Sequence, residues 1–144
     1  MFDPSNKIKI LLVDDDEMIR IYFRDIFWIH GLDNKYDLTT VESPQKAEAI
    51  ISDPKTRPHI IFTDLVMPAE KDGRIITSPE AGLNFLKKIK TDPELKDVKV
   101  IVFSGHSEDT LKKQVKELGA ENYMIKSDNL PKDLIEYVEK MIGK

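Results

Sequence analysis

Cysteine is absent from the 144 residues. That rules out disulfide staples and thiolate metal sites, and it is compatible with a reducing compartment. No apolar run approaches the roughly 20 residues of a membrane span, and residues 1–9 lack the apolar core of a signal peptide. An excess of one charge is missing too: 22 basic residues stand against 26 acidic ones, a formal net charge of −4. There is thus no electrostatic footprint for nucleic acid or an anionic membrane. The three histidines, His30, His59 and His106, are scattered, which with the lack of cysteine argues against zinc. Repeats, linkers and low-complexity segments are missing as well. The expectation is a soluble, cytoplasmic protein with neither nucleic acid nor membrane as partner.

What is present is enough for one core. At 40% hydrophobic residues the chain reads as a single domain over residues 1–144, with its core in 7–143 and no room for a second domain of ordinary size. Four short apolar runs, at residues 8–13, 60–62, 98–103 and 123–125, have the unbroken β-branched character of parallel strands covered on both faces. A weaker fifth lies at 36–41. Between them fall segments of helical spacing, led by Met18, Ile19, Tyr22, Phe23, Ile26 and Phe27, then Ala47, Ile50 and Ile51. Leu83, Leu86 and Ile89 follow, then Leu111, Val115 and Leu118, and finally Leu134, Ile135, Val138, Met141 and Ile142. Ser43-Pro44 and Ser78-Pro79 each offer a Ser cap with Pro at the first helical position, and Gly119 offers a helix stop. Trp28 is expected to pack, and Arg20 to face solvent. Strand and helix alternate five times, which predicts an α/β doubly wound, five-stranded parallel sheet with helices on both faces.

In such a sheet, ligands bind beyond the carboxyl ends of the strands. Asp14, Asp15 and Asp16 follow the first strand, Asp64 ends the third, Ser104 and Gly105 follow the fourth, and Lys126 follows the fifth. Carboxylates brought together repel unless a proton or a cation lies between them. Magnesium, which prefers a few carboxylates plus phosphate oxygens, fits Asp14, Asp15 and Asp64. Phosphoryl transfer needs an in-line nucleophile and positive charge for the equatorial oxygens. Asp64 can attack, Lys126 and the metal can supply charge, Ser104 can donate a hydroxyl, and Gly105 leaves room.

The stretches 10–16 with Arg20 beyond, 58–64 followed by Met67-Pro68, 101–105 and 119–126 resemble the receiver domains of two-component response regulators, of the chemotaxis-regulator type. The resemblance runs over nearly everything from Lys7 onward. It implies a flavodoxin-like (βα)5 fold with strand order 2-1-3-4-5, and a phosphorylation-activated switch that catalyses its own phosphotransfer and dephosphorylation without being a turnover enzyme. Asp64 would accept a phosphoryl group from a histidine kinase or phosphotransfer protein of a phosphorelay. Asp15 and Asp64 would bind Mg2+ directly and Asp14 mainly through water, with the main-chain carbonyl of Val66 as a further ligand. Ser104 and Lys126 would bind phosphoryl oxygens. Ser104 and Tyr123 would form the switch, the ring repacking as the hydroxyl moves toward phosphate. The output face would carry Lys112, Lys113, Lys116, Glu117, Asp133, Glu136 and Lys140, and serve an unnamed downstream protein or a homodimer strengthened by phosphorylation.

The sequence departs from the family at two places. Ser127 stands where a proline, commonly in a cis peptide, usually follows the lysine. A cis bond there costs about 2.5 to 4 kcal/mol without proline, so the loop either carries that strain or takes a trans path. Residues 69–78 read as an insertion forming a tolerated surface loop, with either Asp72-Gly73 or Gly82 as the family's glycine before the third helix. Two other functions stay in view: a receiver excised from a longer regulator or hybrid kinase, and a haloacid-dehalogenase-like phosphatase built on Asp14 and Asp16. Met1 and the final helix favour a standalone chain. Against the phosphatase, Asp64 would have no role.

Overall fold

The computed structural model describes residues 7–143; of the stretch read for a leader, only residues 7–9 are among them. Seven strands and five α-helices follow in chain order: β1 (Ile8–Val13), α1 (Glu17–Ile29), β2 (Tyr36–Val41), α2 (Pro44–Ser52), β3 (Ile60–Thr63), β4 (Met67–Lys71), β5 (Arg74–Ser78), α3 (Glu80–Thr91), β6 (Lys99–Ser104), α4 (Asp109–Glu117), β7 (Asn122–Ile125) and α5 (Pro131–Gly143). Five of the strands form one parallel sheet in the order β2-β1-β3-β6-β7. Counted alone, they have the expected order 2-1-3-4-5. Among the described residues no helix is long and apolar enough to cross a membrane.

Strand periodicity sorts side chains to two cores, because alternate residues point to opposite faces. Leu11, Val13, Ile61, Val100 and Val102 meet α2, α3 and α4 on one face. Ile10, Leu12, Ile60, Phe62, Ile101 and Phe103 meet α1 and α5 on the other, where Phe23 lies edge-on to Phe62 at 5.7 Å. All four residues of β3 are buried, as its unbroken apolar run requires of a strand covered on both faces. Ser43 caps α2 as expected, its side chain accepting from Lys46 N. Gly119, at φ 98°, ends α4, with its own N–H donating to Lys116 O and that of Ala120 to Val115 O.

The structure corrects several expectations. Trp28 does not pack: it is 73% exposed, and Met18 and Tyr22 are exposed with it. Phe23 and Phe27 are the buried residues of the face that α1 lays on the sheet, with Ile19 and Ile26 half-buried beside them, and Trp28 falls outside it. α3 begins one residue later than the Ser-Pro signal implied, with Pro79 in the cap position and Ser78 Oγ accepting from Glu80 N. Asp133 is tied locally, its Oδ2 accepting from Leu130 N at 2.7 Å, a backward cap on α5. The side chain of Ile142 lies outside the described residues.

Residues 69–78 are no irregular loop. β4 and β5 pair antiparallel into a ribbon separate from the main sheet. Asp72 and Gly73 form its tip, with φ of 53° and 76°, the pair of positive values that a two-residue hairpin of the primed type needs. The two candidate glycines therefore have different duties. Gly82, in α3, lies against the main chain after β3, where a Cβ would come within 2.3 Å of Leu65 O. This is the close helix-to-loop approach next to Asp64, and only glycine permits it.

Candidate functional site

Backbone pairing beyond the strand ends brings the acidic residues together. Asp14 N donates to Val41 O and Asp64 N to Val13 O, both at 3.0 Å, so both aspartates leave the sheet in register at its carboxyl edge. Asp14 is fully buried and Asp64 is 6% exposed; Asp15 is exposed. Carboxylate oxygens of Asp14, Asp15 and Asp64 all lie within 4.8 Å of one another. Asp16 is a helix cap, its Oδ1 accepting from Met18 N at 2.9 Å.

Lys126 reaches this cluster from β7. Its Nζ is 2.9 Å from Oδ2 of Asp14 and 2.9 Å from Oδ2 of Asp64, and 5.9 Å from the centre of the Phe103 ring. Among the described residues no peptide is cis. The trans path at Lys126-Ser127 therefore suffices, and the chain turns there through a short 3-10 helix, Lys126–Asp128.

The electrostatics are those of a site short of positive charge. Asp14 Oδ1 accepts from Asp16 N at 2.9 Å, and Asp64 Oδ1 accepts from Leu65 N at 2.7 Å and Val66 N at 3.4 Å. Asp14 Oδ2, by contrast, is buried without a well-aligned hydrogen-bond donor, and the Lys126 ammonium is its neighbour. Burial pushes the Asp14 carboxyl up to about 6, and the nearby Asp64 adds to this; Lys126 and the Asp16 N–H only partly oppose it. Burial alone would lower the Lys126 ammonium, but hydrogen bonding and attraction to Asp14, with Asp64 adding, outweigh it and raise it. Three clustered carboxylates, one of them with a buried oxygen whose neighbour is the Lys126 ammonium, are a hard, all-oxygen donor set that fits a small divalent cation.

Ser104 is fully buried at the end of β6, and its Oγ accepts from His106 N at 3.2 Å. Tyr123 sits two residues before the end of β7, opposite Val102, and its hydroxyl donates to His106 O at 2.6 Å. Burial raises the Tyr123 hydroxyl. The two expected switch residues thus both bond the main chain of one loop residue, His106, and the Ser104 hydroxyl also acts directly on that of Tyr123, partly opposing the effect of burial. Sequence reading missed His106 because a backbone contact leaves no mark on residue type. Arg20 was also misread: its Nη1 donates to Asp14 O at 2.7 Å and it is partly buried.

Comparison with known proteins bears on the family and the fold. Residues 10–139 match the family described as "Response regulator receiver domain". Rice two-component response regulator ORR3 is 28% identical over 141 residues, 98% of this chain and 95% of that protein. Response regulator Rcp1 of Synechocystis is 32% identical over 146 aligned residues, 96% of this chain and 90% of Rcp1. The crystal structure of Mn2+-bound Rcp1 superposes with a TM-score of 0.71 at 26% identity, covering 93% of this chain and 91% of that one.

Proposed function

This chain belongs to the response regulator receiver domains, and from that premise we propose that it is a magnesium-dependent phosphorylation switch whose acceptor is Asp64. Receiver domains are signalling switches and not turnover enzymes, which leaves the phosphatase alternative without support. The observation that carries the reading is the joining of Asp14 and Asp64 through a single ammonium, that of Lys126, 2.9 Å from each.

Asp64 acts as the nucleophile. One of its carboxylate oxygens bonds to phosphorus as the phosphorus–nitrogen bond of a phosphohistidine breaks, and the imidazole nitrogen keeps the electron pair. The donor is a histidine kinase or phosphotransfer protein. Lys126 neutralises charge on the transferred group, and Ser104 donates its hydroxyl to a phosphoryl oxygen. Asp14, Asp15 and Asp64, with the Val66 carbonyl, would hold magnesium, which when bound supplies the positive charge that one lysine cannot. The Mn2+ in Rcp1 supports a hard divalent ion, since manganese and magnesium share a preference for oxygen ligands. Once phosphate draws on Ser104, the His106 main chain passes the change to Tyr123 and to the face built from α4, β7 and α5.

The test is intact-protein mass spectrometry after incubation with Mg2+ and acetyl phosphate. One phosphoryl group is expected on the parent and on Ser104→Ala, and none on Asp64→Asn. A phosphorylated Asp64→Asn would remove the assignment.

A further inference from the structure

The carbonyl of Asp14 lies where the sheet can no longer serve it. Asp14 N still finds Val41 O, but β2 ends at Val41, paired with Val13, so no further rung takes the next carbonyl. Arg20, one turn into α1, takes it instead, with Nη1 at 2.7 Å. The peptide so held links Asp14 to Asp15, two of the three clustered carboxylates. The rest of this loop is pinned from other sides: Asp14 Oδ1 binds Asp16 N, Asp16 Oδ1 binds Met18 N, and Asp16 O accepts from Arg20 N. Glu42, just after β2, has its carboxyl held low chiefly by its hydrogen bond with Lys46, and Arg20 contributes to it.

We propose that Arg20 is a positioning residue for the metal site: by binding the Asp14 carbonyl it fixes the Asp14-Asp15 peptide and so presents the two carboxylates together. This rests on the magnesium reading above and adds to it a residue outside the donor set. The chemistry gives the idea a distinctive sign. A cation close to a cation site opposes metal binding by charge alone, so removing Arg20 should tighten magnesium if charge were its whole effect. Removing a hydrogen bond that orients the ligands weakens metal, commonly by tenfold or more. Arginine also cannot lose its charge to relieve the conflict, so its presence here is explained by what it holds.

The experiment is calorimetric titration of the full chain with MgCl2, alongside thermal unfolding without metal, for the parent, R20M and R20K. Methionine keeps the apolar stem and loses both donor and charge; lysine keeps the charge and one donor. We expect R20M to raise the Kd by about tenfold, with R20K between it and the parent. R20M binding magnesium as tightly as the parent, or more tightly, overturns the proposal even if R20M unfolds at a lower temperature, since that pattern is a structural or purely electrostatic role. Should R20M fail to fold, R20Q, polar but shorter, carries the same comparison. Failure of the underlying reading would look different, because the parent itself would then give no heat with MgCl2.

Discussion

β3 leads into two regions that lie side by side and solve opposite problems. At its end, Asp64 joins Asp14 and Lys126 in a site where charge is buried. A few residues on, the β4–β5 ribbon holds apolar side chains in solvent, with Ile75 76% and Ile76 40% exposed. Buried charges are costly unless paired, so the first region depends on each member of its small set. In the second, Met67 at the start of β4 is anchored in the core, but β5 buries little and little there depends on any one side chain. The contrast predicts sensitivity at the strand ends and tolerance ten residues later, and each side of it can be tested.

The largest effect is expected at Lys126. Lys126→Met leaves Asp14 and Asp64 buried together without their ammonium, and breaking such a pair from one side costs about 3 to 5 kcal/mol. Urea unfolding at neutral pH without metal should show this loss, and added Mg2+ should recover part of it. A variant as stable as the parent in the absence of metal would mean the carboxylates do not depend on Lys126, and the contrast between the regions would shrink.

Next comes the pH dependence of Asp14. Its folded pKa is raised to about 6 from an ordinary 3.8, so between those values the folded state binds more protons than the unfolded one. The stability tied to protonated Asp14 is then fully present below about 4 and lost as pH rises through about 6. At about 1.4 kcal/mol for each unit, this is on the order of 3 kcal/mol. Asp14→Asn, compared with the parent in metal-free urea melts from pH 4 to 7, should remove most of this slope. Magnesium affinity should rise over the same range, because the carboxylate must lose its proton to serve as a ligand. A parental slope in Asp14→Asn would assign the titration elsewhere.

The sensitive region was legible in the sequence and the tolerant one largely was not, for physical reasons. Asp14, Asp64, Ser104 and Lys126 each end an apolar run, and parallel strands in register deliver such residues to one edge. Arg20 escaped because its role depends on a long side chain turning back to a main-chain oxygen. Trp28 was misjudged because helical spacing says which residues share a face, while the width of the face against the sheet is set by packing. The ribbon was hidden because its second strand is exposed almost throughout, so no alternation of apolar and polar residues marks it. Prolines at 68 and 79 also punctuate both its ends. Its signal was local: Asp72-Gly73, a hairpin dipeptide flanked by Ile75-Ile76-Thr77.

The smallest effect is expected in that ribbon. Ile75→Thr combined with Ile76→Thr removes most of the exposed apolar surface of β5 and keeps β-branched residues, so strand propensity and the Asp72-Gly73 turn are retained. With so little burial to lose, the change in unfolding free energy should stay within about 0.5 kcal/mol, and phosphorylation of Asp64 by acetyl phosphate should proceed at the parental rate. Urea unfolding and a time course of phosphoprotein formation measure the two together. Loss of stability beyond about 2 kcal/mol, the scale of a buried side chain, would mean the isoleucines pack more closely than their exposure implies. Slowed phosphorylation at unchanged stability would join the ribbon to the acceptor site, and the boundary between the two regions would then fall beyond residue 78, where α3 brings Gly82 against Leu65.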